Sequence, residues 1–172
     1  MKLRAFNARR AVMYGHHLTP IQRAILAKSD PWVHMEIQAS DLYCKISFSA
    51  TMAEGLDCAR FRDILYTHPE FWDTVEIPMT KREESIAWVE AHEMEGTPYD
   101  KVGVLSQATD WDIIKPDPDK TWCSKTCARV ICKAKPAFGE ELVRLGYTDQ
   151  YNIDPTDLMM LAMYWFGKKG SE

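Results

Sequence analysis

Trp32-Val33-His34-Met35-Glu36-Ile37-Gln38 is the stretch on which the fold turns. Val33, Met35 and Ile37 alternate with Trp32, His34, Glu36 and Gln38, which is the period-two pattern of a half-buried strand. Ser29-Asp30-Pro31 separates it from the residues before. On its other side, Tyr43 to Ala50 alternates Tyr43, Lys45, Ser47 and Ser49 with Cys44, Ile46, Phe48 and Ala50, and reads as a second strand. The short connection between the two predicts an antiparallel hairpin.

Working outward, Ala11-Val12-Met13-Tyr14 reads as a short first strand, and Thr19-Pro20 opens a helix. Thr suits the N-cap, and Pro suits the first helical position, where its missing N–H is no loss. Phe61, Ile64 and Leu65 suggest a short helix or irregular segment, and Phe71 to Ile77 a third strand stopped by Pro78. Thr80 and Glu83 form a capping box for a helix that ends at Gly96. Residues 109–120, rich in Asp, Pro and Lys, read as a surface loop. A helix then runs from about Trp122 to Lys133, a short one from Gly139 to Leu145, and a last one opens at Asp154-Pro155. Its buried stripe is expected to be Leu158, Leu161, Ala162 and Trp165. The pattern is α+β, an antiparallel sheet packed against helices.

The chain has 172 residues, which fits one domain spanning 1–172, since domains commonly run to about 100–150 residues. With 46% hydrophobic and 27% charged residues it has the balance of a globular protein. A formal net charge of −4 argues against nucleic-acid binding, which needs clustered Lys and Arg. Lys2, Arg4, Arg9 and Arg10 form a local basic stretch that reads as a solvated tail. No apolar run approaches the ~20 residues that span a bilayer, and no signal peptide is apparent, so a cytoplasmic location without membrane insertion is expected. The five cysteines, Cys44, Cys58, Cys123, Cys127 and Cys132, are odd in number and are expected to be thiols. Cys123, Cys127 and Cys132 lack the paired spacing of structural zinc, and no nucleotide-binding or serine-hydrolase motif occurs, so neither metal nor cofactor is expected.

Cys123 and His34 are the candidates for chemistry. Cys123 falls where a polar loop passes into an apolar helix. A thiol there feels the positive end of the helix dipole, which favours the thiolate, and the same turn supplies N–H groups for an oxyanion. Cys127 and Cys132 lie deeper in the helix and read as core residues. His34 shares a strand face with Glu36, about 6.6–6.8 Å along the strand, where a carboxylate can orient the imidazole. Ser47 or Ser49 on the next strand is the alternative orienting group. Trp32 and Trp122 are candidates for walling an apolar pocket.

The order of these motifs, Trp32-Val33-His34-Met35-Glu36-Ile37, then Pro98-Tyr99-Asp100, then Thr121-Trp122-Cys123-Ser124-Lys125 before a helix, resembles the circularly permuted papain-like hydrolases of the NlpC superfamily. In that branch the histidine strand precedes the cysteine helix, as here. The resemblance covers residues 11 to 133, with 137–167 as a helical extension. It implies His34 and Cys123 as the catalytic pair, but no motif fixes the third member, for which Glu36 is the candidate from strand spacing, with Ser47 or Ser49 as the alternative. Tyr99, Trp122 and Ser124 are implied at the substrate or oxyanion site, and Asp100 as a local backbone cap. Lys125 departs from the acidic residue that family members often carry after Cys-Ser. The activity implied is hydrolysis of an amide, in a peptide or a cell-wall peptide. An acyltransferase or thioesterase on the same apparatus, acting on an acyl small molecule, and a non-catalytic binding module are the alternatives.

Overall fold

The computed structural model describes residues 1–39, 46–53, 56–63, 68–109, 117–147 and 152–169. Among these, five strands form one antiparallel sheet: β1 (Lys2–Asn7), β2 (Trp32–Gln38), β3 (Ile46–Ala53), β4 (Leu56–Asp63) and β5 (Trp72–Glu76), in spatial order β4-β3-β2-β1-β5. Seven α-helices accompany them: α1 (Ala8–Met13), α2 (Pro20–Lys28), α3 (Lys81–Met94), α4 (Lys101–Thr109), α5 (Cys123–Ala134), α6 (Pro136–Arg144) and α7 (Pro155–Lys169). The α+β class and the β2–β3 antiparallel pairing are as the sequence predicts. Cys44 and the connection at 40–45 lie outside the described residues.

The two faces of the sheet follow from register. Leu3, Ala5, Met35, Ile37, Phe48, Ala50, Ala59 and Val75 alternate onto one face and are buried. Phe61, opposite Phe48, shares that face and meets Trp88 and His92 of α3. Helices α5 and α7 also pack on the sheet, with α5 against β2 and β3 and α7 against β1, β2 and β5. Burying these side chains stabilises the sandwich by roughly 1.5–3 kcal/mol for each large one.

The other face carries Arg4 and Phe6 of β1, His34 and Glu36 of β2, Ser47 and Ser49 of β3, Arg60 and Arg62 of β4, and Trp72 of β5. Phe6 lies opposite both His34 and Trp72, and Arg4 opposite Glu36. The rings of Phe6, Trp72, Phe71 and His16 meet edge-on or tilted, and the Arg4 guanidinium sits 4.6 Å from the Trp72 centroid.

Three expectations are corrected. The basic N-terminus is not a tail: Lys2–Asn7 is an inner strand and Arg4 is buried. Ala11-Val12-Met13-Tyr14 is not a strand. It falls in and after α1, which Asn7 starts by accepting a hydrogen bond from the Arg10 amide. Phe61 belongs to strand β4 rather than to a helix or irregular segment, because its alternation with Ala59 puts both on the buried face. Val102, Val104 and Leu105 lie in helix α4. The capping boxes of α2 (Thr19 with Gln22) and α3 (Thr80 with Glu83) are both formed.

Candidate active site

Cys123 is the first residue of α5, after Trp122 at the N-cap. The helix begins here because Trp122 is extended and a buried run follows, from Cys123 to Ala128. Two side-chain bonds fix the turn from outside. The Ser124 hydroxyl donates to the Ile153 carbonyl at 2.6 Å, and the Trp122 indole N–H donates to the same oxygen at 3.4 Å. Thr121 and Thr126 hydroxyls pair at 2.8 Å beneath it. Ser124 therefore contributes its backbone N–H to the site, while its hydroxyl is committed elsewhere.

The Cys123 thiol is 2% exposed. Burial pushes it up to about 11, against the opposing pull of the backbone N–H groups of Met35, Ser124 and Cys123 itself. The helix start does what the sequence suggests, but desolvation outweighs it, so the resting thiol is neutral. The contact with the Met35 amide is the informative one. It docks the start of α5 on β2 at the residue that follows His34.

His34 stands on the opposite, polar face of the sheet. Burial, with the Arg62 guanidinium second, lowers its imidazole to about 4, and Glu36 works against both. Its polar contact among the described residues is Arg62, whose Nη2 donates to His34 Nε2 at 3.3 Å and to Glu36 Oε1 at 3.1 Å. Arg62 belongs to β4, two strands from His34. It reaches across β3, whose side chains on this face include the small Ser47, Ser49 and Thr51, all buried. Neither serine orients the ring. Ser49 Oγ donates to the Met35 carbonyl at 2.5 Å, and Ser47 Oγ has no partner among the described residues. Glu36 faces the same way as His34, and Arg62 joins the two.

Tyr99 borders the hollows of both candidates. It pairs with Thr121 in an isolated bridge, and burial holds its phenol well above the usual value, with Cys123 and Asp100 adding to the effect. On one side it lines a cavity of about 20 Å³ with Ile25, Val104, Trp122 and Cys123. On the other, with Ile25 again, it lines a groove of about 280 Å³ that contains Val33, His34, Thr51 and Arg62. The first cavity holds about one water molecule. Trp32 does not wall it; its indole N–H donates to Asp73 at 2.7 Å, beside Asn7 and Arg10.

Asp100 caps backbone, receiving the Gly103 amide at 2.8 Å and the Asp117 amide at 2.9 Å. Gly103 is required for this, because a Cβ there would lie 2.3 Å from Asp100 Oδ2. Lys125 is buried and donates to the Lys120 carbonyl at 2.8 Å, with its ammonium 5.1 Å from the Trp122 ring centre. No acidic residue is needed at that position to complete this turn.

Arg62 is the residue that sequence reasoning missed. Its signal was the Cys58, Arg60, Arg62 alternation in β4, which is legible only once that segment is known to be a strand. Comparisons of the chain with protein-family models, with curated proteins and with solved structures find no match. Among the described residues no helix is long and apolar enough to cross a membrane, and no group of three or more His, Cys, Asp or Glu side chains is arranged to hold a metal ion.

Proposed function

We propose that this protein is a cysteine hydrolase of permuted papain-like type, cleaving an amide bond with Cys123 as nucleophile and His34 as its acid–base partner. The observation that carries this reading is the Cys123 thiol at the first position of α5, in reach of the amide of Met35, the neighbour of His34. Nucleophile helix and histidine strand are thus adjacent, with Tyr99 bordering both their hollows.

In the resting protein the two side chains lie on opposite faces of the sheet, so the reaction requires the imidazole to be brought within reach of the sulfur, where it takes the thiol proton as sulfur bonds to the substrate carbonyl carbon. Negative charge collects on the carbonyl oxygen, where the Ser124 and Cys123 amides and the Tyr99 hydroxyl can donate to it. The C–N bond breaks, and the imidazolium returns its proton to the leaving nitrogen. Water then cleaves the thioester, releasing the acid and restoring the thiol. Both groups start neutral, so the proton moves only once substrate fills the groove. Glu36 acts on the ring through Arg62. A thioester substrate, or an acyl acceptor other than water, would use the same steps.

A non-catalytic binding module is the second reading. It is favoured by the 2% exposure of Cys123 and by a cavity with room for one water. Intact-mass spectrometry separates the two. The protein is incubated with activated esters, peptide anilides and acyl thioesters, beside Cys123→Ala and His34→Ala. The hydrolase reading expects an acyl group on Cys123, lost in Cys123→Ala and formed far more slowly in His34→Ala. A folded protein that acylates with none of the three classes leaves the binding reading in its place.

A further inference from the structure

A neutral imidazole has one lone pair and one N–H. Arg62 can only donate, so its 3.3 Å contact occupies the lone pair on His34 Nε2 and leaves the proton on Nδ1. A base whose only lone pair is already bonded cannot take a proton from a thiol. The arginine that positions the ring therefore also blocks it, and His34 becomes active only when Arg62 lets go.

What would draw Arg62 away follows from its surroundings. It borders two hollows: the groove with His34, Thr19, Gln22 and Tyr99, and a second of about 180 Å³ with Phe6, Glu36, Phe71 and Trp72. The charged or titratable groups bordering them, besides His34, are Arg62, Glu36, Asp63, His16, His68 and Tyr99. Buried in this face are Arg4 and Glu36, with Arg62 partly exposed. Glu36 has Arg4 beside it in register, but the Arg4 guanidinium lies over Trp72 rather than against a carboxylate. Glu36 thus has Arg62 as its ion-pair partner among the described residues. The groove with His34 is bordered by Arg62 and by no carboxylate among the described residues, so the charge it presents is positive, and a planar guanidinium pairs best with a carboxylate through two parallel bonds.

We propose that Arg62 is a specificity-determining latch: it holds the lone pair of His34 in the resting protein and releases it to substrates whose own carboxylate enters the groove. The choice of a substrate carboxylate rests on the hydrolase reading above; the arginine–imidazole contact does not. Release of Arg62 and arrival of an anion both favour the protonated imidazole, so a bound carboxylate raises the pH at which His34 titrates. A neutral substrate of equal size leaves the latch closed.

Histidine titration by ¹⁵N NMR on the full chain tests this without any turnover, with His34 assigned by His34→Gln. In the wild type the proton is expected on Nδ1. In Arg62→Met the midpoint is expected to rise by about one pH unit or more, the size of a single nearby charge. Succinate, at matched ionic strength against chloride, is expected to raise the wild-type midpoint and leave Arg62→Met unmoved. Equal titration of wild type and variant, or a wild type that does not respond to succinate, overturns the latch. If Arg62→Met loses its dispersed amide spectrum, the succinate titration of the wild type decides alone. If the latch behaves as stated and Cys123 never acylates, the hydrolase reading fails and the Arg62 contact stands.

Discussion

Resting Cys123 should be one of the slowest thiols in the chain to alkylate. Its thiol is pushed up to about 11, against about 8.5 for a free cysteine. At pH 7 the thiolate fraction is then about one in ten thousand, compared with about three in a hundred for an unstructured peptide. Iodoacetamide should therefore react about 300-fold more slowly at Cys123 than at a cysteine peptide. Steric cover of a side chain only 2% exposed adds to this. The rate should climb about tenfold per pH unit through pH 9, without a plateau. Because the imidazole does not enter the balance at the sulfur, His34→Ala should leave the resting profile unchanged. The assay is peptide mapping by mass spectrometry at pH 5 to 9, with the half-buried Cys58 as internal comparator. A Cys123 rate that plateaus below pH 8, and that falls in His34→Ala, would refute the reasoning. It would mean that the helix start and the imidazole together outweigh burial.

Three further outcomes are expected. His34 has its folded value near 4 against about 6.5 unfolded, so the unfolded chain gains a proton first as pH falls. Stability from this group is complete above pH 6.5 and is lost on descent to pH 4, by up to about 3 kcal/mol; urea melts of wild type and His34→Gln at pH 7 and 4.5 should show a steeper acid loss in the wild type. Asp100→Ala removes an acceptor for two backbone amides, at about 1.5–3 kcal/mol each, so a fall in Tm of about 6 °C or more is expected; a fall under 2 °C would contradict the capping role. Gly103→Ala, whose Cβ would meet Asp100 Oδ2, should lower Tm in the same direction, and the double variant should lose less than the sum of the two.

The parts of this fold that were legible in the sequence are those decided by local chemistry. Thr19-Pro20 and Thr80 with Glu83 mark helix starts because the caps are made by neighbours in the chain. The bounds of β2 are visible because its alternation is unbroken. Strands β1 and β4 were hidden for one shared reason. Arg4, Arg60 and Arg62 mark those segments as solvated, whereas in the sheet their guanidinium groups lie along its polar face. The helix-start position of Cys123 could be read from the sequence, but its protonation state could not, because desolvation depends on α2, β2 and the 152–155 segment closing around it. The Arg62–His34 contact was beyond reach for a geometric reason. It needs the register of three strands and small side chains on the middle one.

The carbonyl of Ile153 receives both Trp122 and Ser124 and so holds the turn that bears Cys123. That places a constraint on the order of events during synthesis. A nascent chain can pair β1 to β5 and wind α5 well before residue 153 emerges from the ribosome, yet its thiol-bearing turn still lacks its anchor. The segment that ends the wait is the lead into α7. Until that segment docks, the wall that Asp154 and Pro155 give the thiol is missing, so Cys123 of the unfinished chain is more open to alkylation than Cys123 of the folded protein, and completing the chain is what quiets it.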